Sequence, residues 1–409
     1  MGNAEMWMNL LDSIARRLIQ RGTLQLTYPN GETRHYGAGN EQTAAFEIRT
    51  ASRVRSLCLN PELALGEGYM DETIVVDGVD GLENLMRLLL RNQSEKAFPK
   101  YIRALNKFRF YARTWLQRNT SNSAKNNVRH HYDISDDLYR LMLDTDMQYS
   151  CAYFSRLTMS LEEAQEAKKR HIAEKLLIQK DCKVLDIGCG WGGMALTLAK
   201  DYGAHVTGVT LSENQLSTAK KRVEKCGLSD RISFRLVDYR DLVDRYDRIV
   251  SVGMLEHVGL PHYTEYFLKV AELLETDGIA LIHSIGRVGP PKSHSPWLHK
   301  YIFPGGYVPS LSELVPALEI SGLWQTDIEI WRLHYAMTIR EWRKRFLANL
   351  EIVQNWYDER FIRMWCYYLT ACIMAFEEQE QAVYQLQLAH RRDVVPLTRD
   401  YLHRTNDSD

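Results

Sequence analysis

The sequence predicts an α/β protein: a doubly wound, mostly parallel sheet with helical additions, preceded by a small α/β domain. Three observations carry that prediction. A short apolar strand, Val184 to Ile187, runs into Gly188-Cys189-Gly190-Trp191-Gly192 and then into an amphipathic stretch, Met194 to Lys200. Strand-like and helix-like segments alternate from about residue 130, the spacing of a parallel sheet. Residues 87–129 shift sharply in composition, with eleven Lys or Arg against one acid, Glu95, and so separate that alternation from what precedes it.

Residues 1–90 read as the small domain. Trp7 to Ile19 has helical spacing. Thr23 to Tyr28 and Thr33 to Tyr36 flank Pro29-Asn30-Gly31-Glu32 as a hairpin. Ala45 to Ser52 and Thr73 to Val76 are further strand candidates, and Leu82 to Arg91 is helical. Residues 91–129 form a basic connector. At about 100° per residue, Lys96, Lys100, Arg103 and Lys107 share one helix face, and Tyr101, Leu105, Phe108, Ala112 and Trp115 share another. That pattern suits an anionic membrane surface. It equally suits a solvated basic helix packed on its own protein. Nucleic acid is a weaker reading, because the basic excess is confined to this stretch and the net charge is −1. Thr120 to Asn127 reads as a polar linker.

Residues 130–409 hold the alternation. Strands are expected at Lys183–Ile187, His205–Thr210, Ile232–Leu236, Tyr246–Val252 and Ile279–Ile285, with helices at Met194–Asp201, Glu213–Cys226 and His262–Leu274. Residues 338–391 read as almost wholly helical.

Composition is ordinary for a globular chain, 45% hydrophobic and 25% charged over 409 residues. Seven cysteines without a C-x-x-C pair argue against a disulfide framework or a zinc ribbon, and no metal site is expected. Met1 to Met6 reads as neither a signal peptide nor a myristoylation site, and the apolar run Tyr367 to Phe376 is too short to span a bilayer. A cytoplasmic protein is expected, able to lie on a membrane.

The glycine turn places a ligand at the carboxyl end of a strand, where a Cβ would obstruct positive φ and close approach. A dinucleotide fingerprint wants G-x-G-x-x-G and an acid roughly 20 residues on. Here the third glycine comes one residue early and Thr210 stands where the acid should be. A phosphate-binding Gly-Lys-Ser/Thr is absent. Val184-Leu185-Asp186-Ile187-Gly188-Cys189-Gly190-Trp191-Gly192-Gly193 instead resembles the first motif of the Rossmann-like class I S-adenosylmethionine methyltransferases.

Further motifs narrow the resemblance. They are His130 to Tyr139, Met147 to Phe154, Thr210 to Gln215, Ser251 to Gly259 and Ile282 to Gly286. Together they resemble cyclopropane fatty acid synthases over about residues 125–390, and residues 1–129 look like the leading part of the phospholipid-acting members. The resemblance implies methyl transfer from S-adenosylmethionine to a cis double bond of a phospholipid acyl chain. A bound bicarbonate then deprotonates the resulting carbocation. By resemblance the bicarbonate is held by Cys151, Glu256, His283, the Ile285 backbone and Tyr335. Tyr132 and Ser150 fall near the sulfonium and Gly188 and Gly190 under the amino acid. Asp186 is a cofactor-binding residue by resemblance and reads equally as a carboxylate that organises the loop through backbone amides; Thr210, Ser212 and Gln215 lie near the ribose, and Asp238, Tyr239 and Arg240 lie on the adenine side. His257 reads as structural.

A carboxylate beside an anion is repulsive, so Glu256 or the bicarbonate must carry a proton, or His283 must offset the charge. Trp297, Tyr301, Phe303, Tyr307, Trp342, Phe346, Trp365, Tyr367 and Tyr368 suit an apolar acyl pocket, although core packing accounts for any one of them. The family further implies a homodimer bound peripherally to the inner face of a membrane. Two alternatives stay in the same superfamily: a methylene or methyl-branched product, and an amine acceptor.

Overall fold

The computed structural model describes residues 3–37, 39, 42–117 and 135–402. Tyr132, His130, His131 and the linker 120–127 lie outside the described residues, as does the Trp115 side chain. Two compact units form, and neither is contiguous in sequence. The first comprises Met1–Arg113, Lys292–Pro304 and Ile339–Glu380; the second comprises Thr114–Pro291, Gly305–Thr338 and Gln381–Asp409.

The first unit opens with α1 (Asn3–Leu18), β1 (Thr23–Thr27), β2 (Thr33–Tyr36) and β3 (Thr43–Ile48). Then come α2 (Ala51–Leu59), α3 (Pro61–Met70), β4 (Ile74–Val75), α4 (Gly78–Arg91) and α5 (Lys100–Leu116). The sheet order is β2-β1-β3-β4. The expected hairpin forms, Leu24 opposite Tyr36 through Thr27 opposite Thr33. The strand expected over Ala45–Ser52 stops at Ile48, because Thr50 turns the chain into α2 by accepting from the Arg53 amide.

The second unit carries α6 (Asp136–Met142), α7 (Leu161–Lys175), β5 (Lys183–Ile187), α8 (Gly193–Tyr202), β6 (His205–Thr210), α9 (Glu213–Cys226), β7 (Ile232–Leu236), β8 (Tyr246–Val252), α10 (Tyr263–Leu273) and β9 (Leu274–Arg287). After α11 (Pro296–Tyr301), which lies in the first unit, come α12 (Leu311–Ser321), β10 (Trp324–Trp331) and the start of α13 (His334–Ala348). α14 (Leu350–Gln354) and α15 (Glu359–Glu377) precede β11 (Gln381–Ala389).

The seven strands order as β10-β11-β9-β8-β5-β6-β7. Pairing is parallel from β9 to β7, and β11 runs antiparallel to both neighbours. Side chains alternate between two cores: Leu185, Ile249, Ala280 and Ile282 pack in one, Val184, Val250, Ile279 and Leu281 in the other.

The helical expectation for 338–391 fails at its end. Gln381 to Ala389 is a strand inserted between β9 and β10. All five residues of Tyr384-Gln385-Leu386-Gln387-Leu388 are buried, so the strand is covered on both faces although one face carries the two glutamines. Among the described residues no helix is long and apolar enough to cross a membrane.

Candidate active site

The turn after β5 is held by backbone. The Gly188 and Cys189 amides both donate to the Val209 carbonyl, at 2.9 and 3.0 Å. Gly188, Gly190 and Gly192 have φ of 80°, 53° and 84°. At Gly190 a Cβ would meet nothing within 4 Å, so the backbone there is open to a ligand, whereas at Gly192 it would lie 2.7 Å from Phe234. Trp191 is buried. Its indole N–H donates to Asp136 Oδ1 at 3.1 Å, and Asp136 also accepts from Asn214 (2.8 Å) and Thr218 (3.0 Å). The indole thus ties the glycine turn to the starts of α6 and α9.

Under the turn lies a buried polar cluster. Asp186 is 2% exposed, and its Oδ2 has no partner among the described residues. Burial pushes its carboxyl up to about 7 against the pull of the Lys168 ammonium. Lys168 is fully buried and donates to Gln148 Oε1 at 2.5 Å and Ser150 Oγ at 2.8 Å. Burial brings it down to about 8, with Asp144 the main opposing charge. An orphaned carboxylate beside an open glycine backbone fits the ammonium and carboxylate of an amino acid moiety.

At the end of β6, Thr210 Oγ1 donates to Gln215 Oε1 (3.0 Å) and accepts from the Ser212 amide (3.1 Å). Ser212 Oγ accepts from the Gln215 amide and caps α9. The three expected ribose residues are therefore one hydrogen-bonded group. After β7, Asp238 and Arg240 form a two-pronged ion pair, with guanidinium contacts of 2.9 and 2.6 Å. Tyr239 turns the other way, into the core, with its ring 5.4 Å from Tyr266.

The residues expected to hold the anion lie in the turn after β8, on β9, at the start of α13 and, for Cys151, in the loop between α6 and α7. Glu256 sits in the single turn after β8, and its Oε1 accepts from the Ile285 amide at 2.6 Å. Its Oε2 has no partner among the described residues, and burial pushes the carboxyl up to about 7. His283 lies two residues before Ile285 on β9. Burial, Lys168 and Lys175 hold it well below the usual imidazole range, so it is neutral. Its Nδ1 is 3.2 Å from Gln385 Nε2, and its ring meets Trp331 edge-on at 5.1 Å. Cys151 is fully buried, and burial raises its thiol well above the ordinary value. The Ala152 amide donates to Thr338 Oγ1 at 3.0 Å, which anchors the Cys151 segment to α13. Tyr335 is half-buried in the first turn of that helix. His257 is brought down to about 4 by burial.

The expected aromatic set divides. Tyr307 belongs to the second unit, where its amide donates to the Glu256 carbonyl (2.9 Å) and its hydroxyl to Glu313 (2.9 Å). Trp297, Tyr301, Phe303, Trp342, Phe346, Trp365, Tyr367 and Tyr368 belong to the first. There Trp297 packs on Tyr367 with ring centres 4.5 Å apart. Sequence reasoning missed Gln148, Lys168, Asp136 and Gln385. The clue available for Gln385 was a polar residue in an otherwise apolar period-2 run. A lysine on a charged helix such as α7 carries no comparable mark.

A sheet of this order with its glycine turn after β5 is the scaffold of the class I S-adenosylmethionine-dependent methyltransferases, and the fold and site assign the chain to that class. Within it, the chain belongs to the mycolic acid cyclopropane synthetase family, whose model matches residues 119–386. A second family model, described as a domain of unknown function, matches residues 11–98. The chain is 40% identical over 348 residues to a cyclopropane-fatty-acyl-phospholipid synthase of Escherichia coli K12, covering 84% of this chain and 87% of that one. It is 33% identical over 396 residues to a tuberculostearic acid methyltransferase of Mycobacterium tuberculosis, covering 92% and 91%. A solved mycolic acid cyclopropane synthase complexed with SAH and CTAB superposes with a TM-score of 0.62 at 33% identity, covering 64% of this chain and 97% of that one.

Proposed function

We propose that this methyltransferase acts on a cis double bond in a phospholipid acyl chain and closes a cyclopropane ring. S-adenosylmethionine supplies the methyl group, and a bound bicarbonate supplies the base that removes a proton from the new methyl carbon. The observation that carries the reading is Glu256. Its carboxyl has one oxygen on the Ile285 amide and the other unpartnered, and its proton affinity is raised to about neutrality. A neutral His283 cannot offset an anion's charge, so a protonated Glu256 removes the repulsion between carboxylate and anion and donates a hydrogen bond to it. Cys151 and Tyr335 complete the set. The buried thiol stays protonated, and so is a donor rather than a nucleophile.

Toward the cofactor, Asp186 with the Gly188 and Gly190 backbone holds the amino acid end, and Lys168 holds Ser150 in place. Thr210, Ser212 and Gln215 receive the ribose, and the Asp238–Arg240 pair flanks the base. Tyr132 is retained as the sulfonium neighbour on the motif alone.

For the lipid, α5 leaves Phe108 70% and Tyr111 68% exposed among Lys100, Arg103 and Lys107. Ile102 is buried and Tyr101 bonds the Cys58 carbonyl at 2.6 Å. This helix docks the protein peripherally on an anionic membrane at its cytoplasmic face. A homodimer would bring two sites to one bilayer.

The test is mass spectrometry of dioleoyl phospholipid vesicles after incubation with S-adenosylmethionine. The expected product is heavier by one CH2, carries a ring, and forms faster with added bicarbonate. The name of the Mycobacterium tuberculosis relative favours a second reading, a methylene or methyl-branched chain, and ring-specific NMR of the product separates the two. An amine acceptor is expected to give no lipid product at all. Vesicle binding should weaken with salt and on reversal of Lys100, Arg103 and Lys107; indifference to both removes the docking role of α5.

A further inference from the structure

β11 carries two fully buried glutamines in an otherwise apolar run. Gln387 is explained by the architecture around it. Its Nε2 donates to the Lys175 carbonyl at 2.6 Å and to the Tyr401 hydroxyl at 3.0 Å, and its Oε1 accepts from Thr326 at 2.9 Å. Gln385 is different. It stands directly opposite His283 across the β9–β11 ladder, its Nε2 lies 3.2 Å from His283 Nδ1, and its Oε1 has no partner among the described residues. A buried amide left half-satisfied is destabilising. Val383, two residues away on the same face, is apolar and buried.

We infer that Gln385 is a positioning residue: its amide N–H donates to His283 Nδ1 and so fixes the single imidazole proton on Nε2. An imidazole whose Nδ1 accepts can be neutral only as the Nε2–H tautomer. Trp331 meets the ring edge-on and limits its swing. Four further groups act on His283: Lys168 and Lys175 of α7 and His171 of the same helix resist a second proton, and Glu329 of β10 favours one. The consequence rests on the anion-binding reading of the site. With Nε2–H fixed, His283 donates to a bound oxyanion; in the opposite tautomer it would present a lone pair and repel it.

The test is nitrogen-15 NMR of histidine-labelled full-length protein, with His283→Gln used to assign the resonance. The wild type is expected to show an unprotonated Nδ1 and a protonated Nε2 from pH 6 to 8. Gln385→Glu should draw the proton to Nδ1, because a carboxylate only accepts. Gln385→Met, which keeps the volume, should lower kcat about 10–100-fold, the range seen for partners that orient histidines elsewhere, while the KM for S-adenosylmethionine stays within twofold. A protonated Nδ1 in the wild type overturns the inference. So does a folded Gln385→Met protein with unchanged kcat and an unchanged tautomer. The NMR readout needs no anion, so turnover indifferent to bicarbonate would strike at the proposed reaction and leave the tautomer assignment standing.

Discussion

Replacing Glu256 with glutamine should stabilise the protein and silence it. Burial lifts the Glu256 carboxyl from 4.5 to about 7. At about 1.4 kcal/mol per pH unit, that gap corresponds to about 3 kcal/mol. Between the two values the folded chain binds more protons than the unfolded chain, so this group lowers stability as pH rises, and its full cost is present above pH 7. Glutamine removes the ionisation. Its amide oxygen still accepts from the Ile285 N–H, and its NH2 occupies the side where Oε2 has no partner. At roughly 2–4 °C per kcal/mol for a domain of about 150–250 residues, the melting temperature should rise by about 6–12 °C at pH 8. The gain should shrink toward zero as pH falls to 4.5. Turnover should fall about 10²–10³-fold, because an amide is a weaker donor to a bound oxyanion than a carboxylic acid and cannot share its proton with it. Calorimetry of both proteins from pH 4.5 to 8, paired with the lipid assay, reads both effects. A gain that does not vary with pH, or a variant no more stable than the wild type at pH 8, would refute the burial argument.

Three other outcomes follow from the same geometry. Lys168→Met removes the ammonium that holds Ser150 and Gln148, so S-adenosylmethionine affinity by calorimetry should drop about tenfold, the low end for hydrogen bonds to a charged group; a change under twofold contradicts it. Because Asp186 ionises near pH 7 in the free protein, cofactor affinity should decline by up to tenfold per unit as pH falls below 7, and Asp186→Asn should flatten the profile. Gly192→Ala meets both a φ of 84° and Phe234 at 2.7 Å, whereas Gly227→Ala meets only a φ of 66° in open space; urea midpoints should show the first costing at least about 1–2 kcal/mol more than the second.

The parallel core was readable from the chain because each of its strands is a short apolar run bounded by turn residues, and Lys183–Ile187, His205–Thr210, Ile232–Leu236 and Tyr246–Val252 fall where that pattern puts them. The far side of the sheet was not. β10 mixes exposed and half-buried positions over Trp324–Trp331, and β11 follows a long amphipathic helix whose period carries the eye through it. The same contrast runs through the site. Glu256, His283 and Cys151 sit in recognisable strings, and the fold brings Glu256 against the strand that bears His283. Lys168 is one lysine among several on α7, distinguished only by three-dimensional burial. Trp191 was legible as a match to a motif, and its hydrogen bond to Asp136 supplies the physical reason. The two-unit division was hidden for a topological reason: residues 292–304 and 339–380 pack with the amino-terminal part of the chain, and no local pattern announces a return of that kind.

The insertion of β11 between β9 and β10 sets an order of events during synthesis. Until Gln381–Ala389 has left the ribosome, β9 has an unpaired edge, and β10 has no strand neighbour among the described residues. Most of the sheet can therefore form while His283 still lies on a bare, aggregation-prone margin. One late strand then closes the ladder on both sides. A truncation just before that strand should be recovered as insoluble protein rather than as a weakened enzyme.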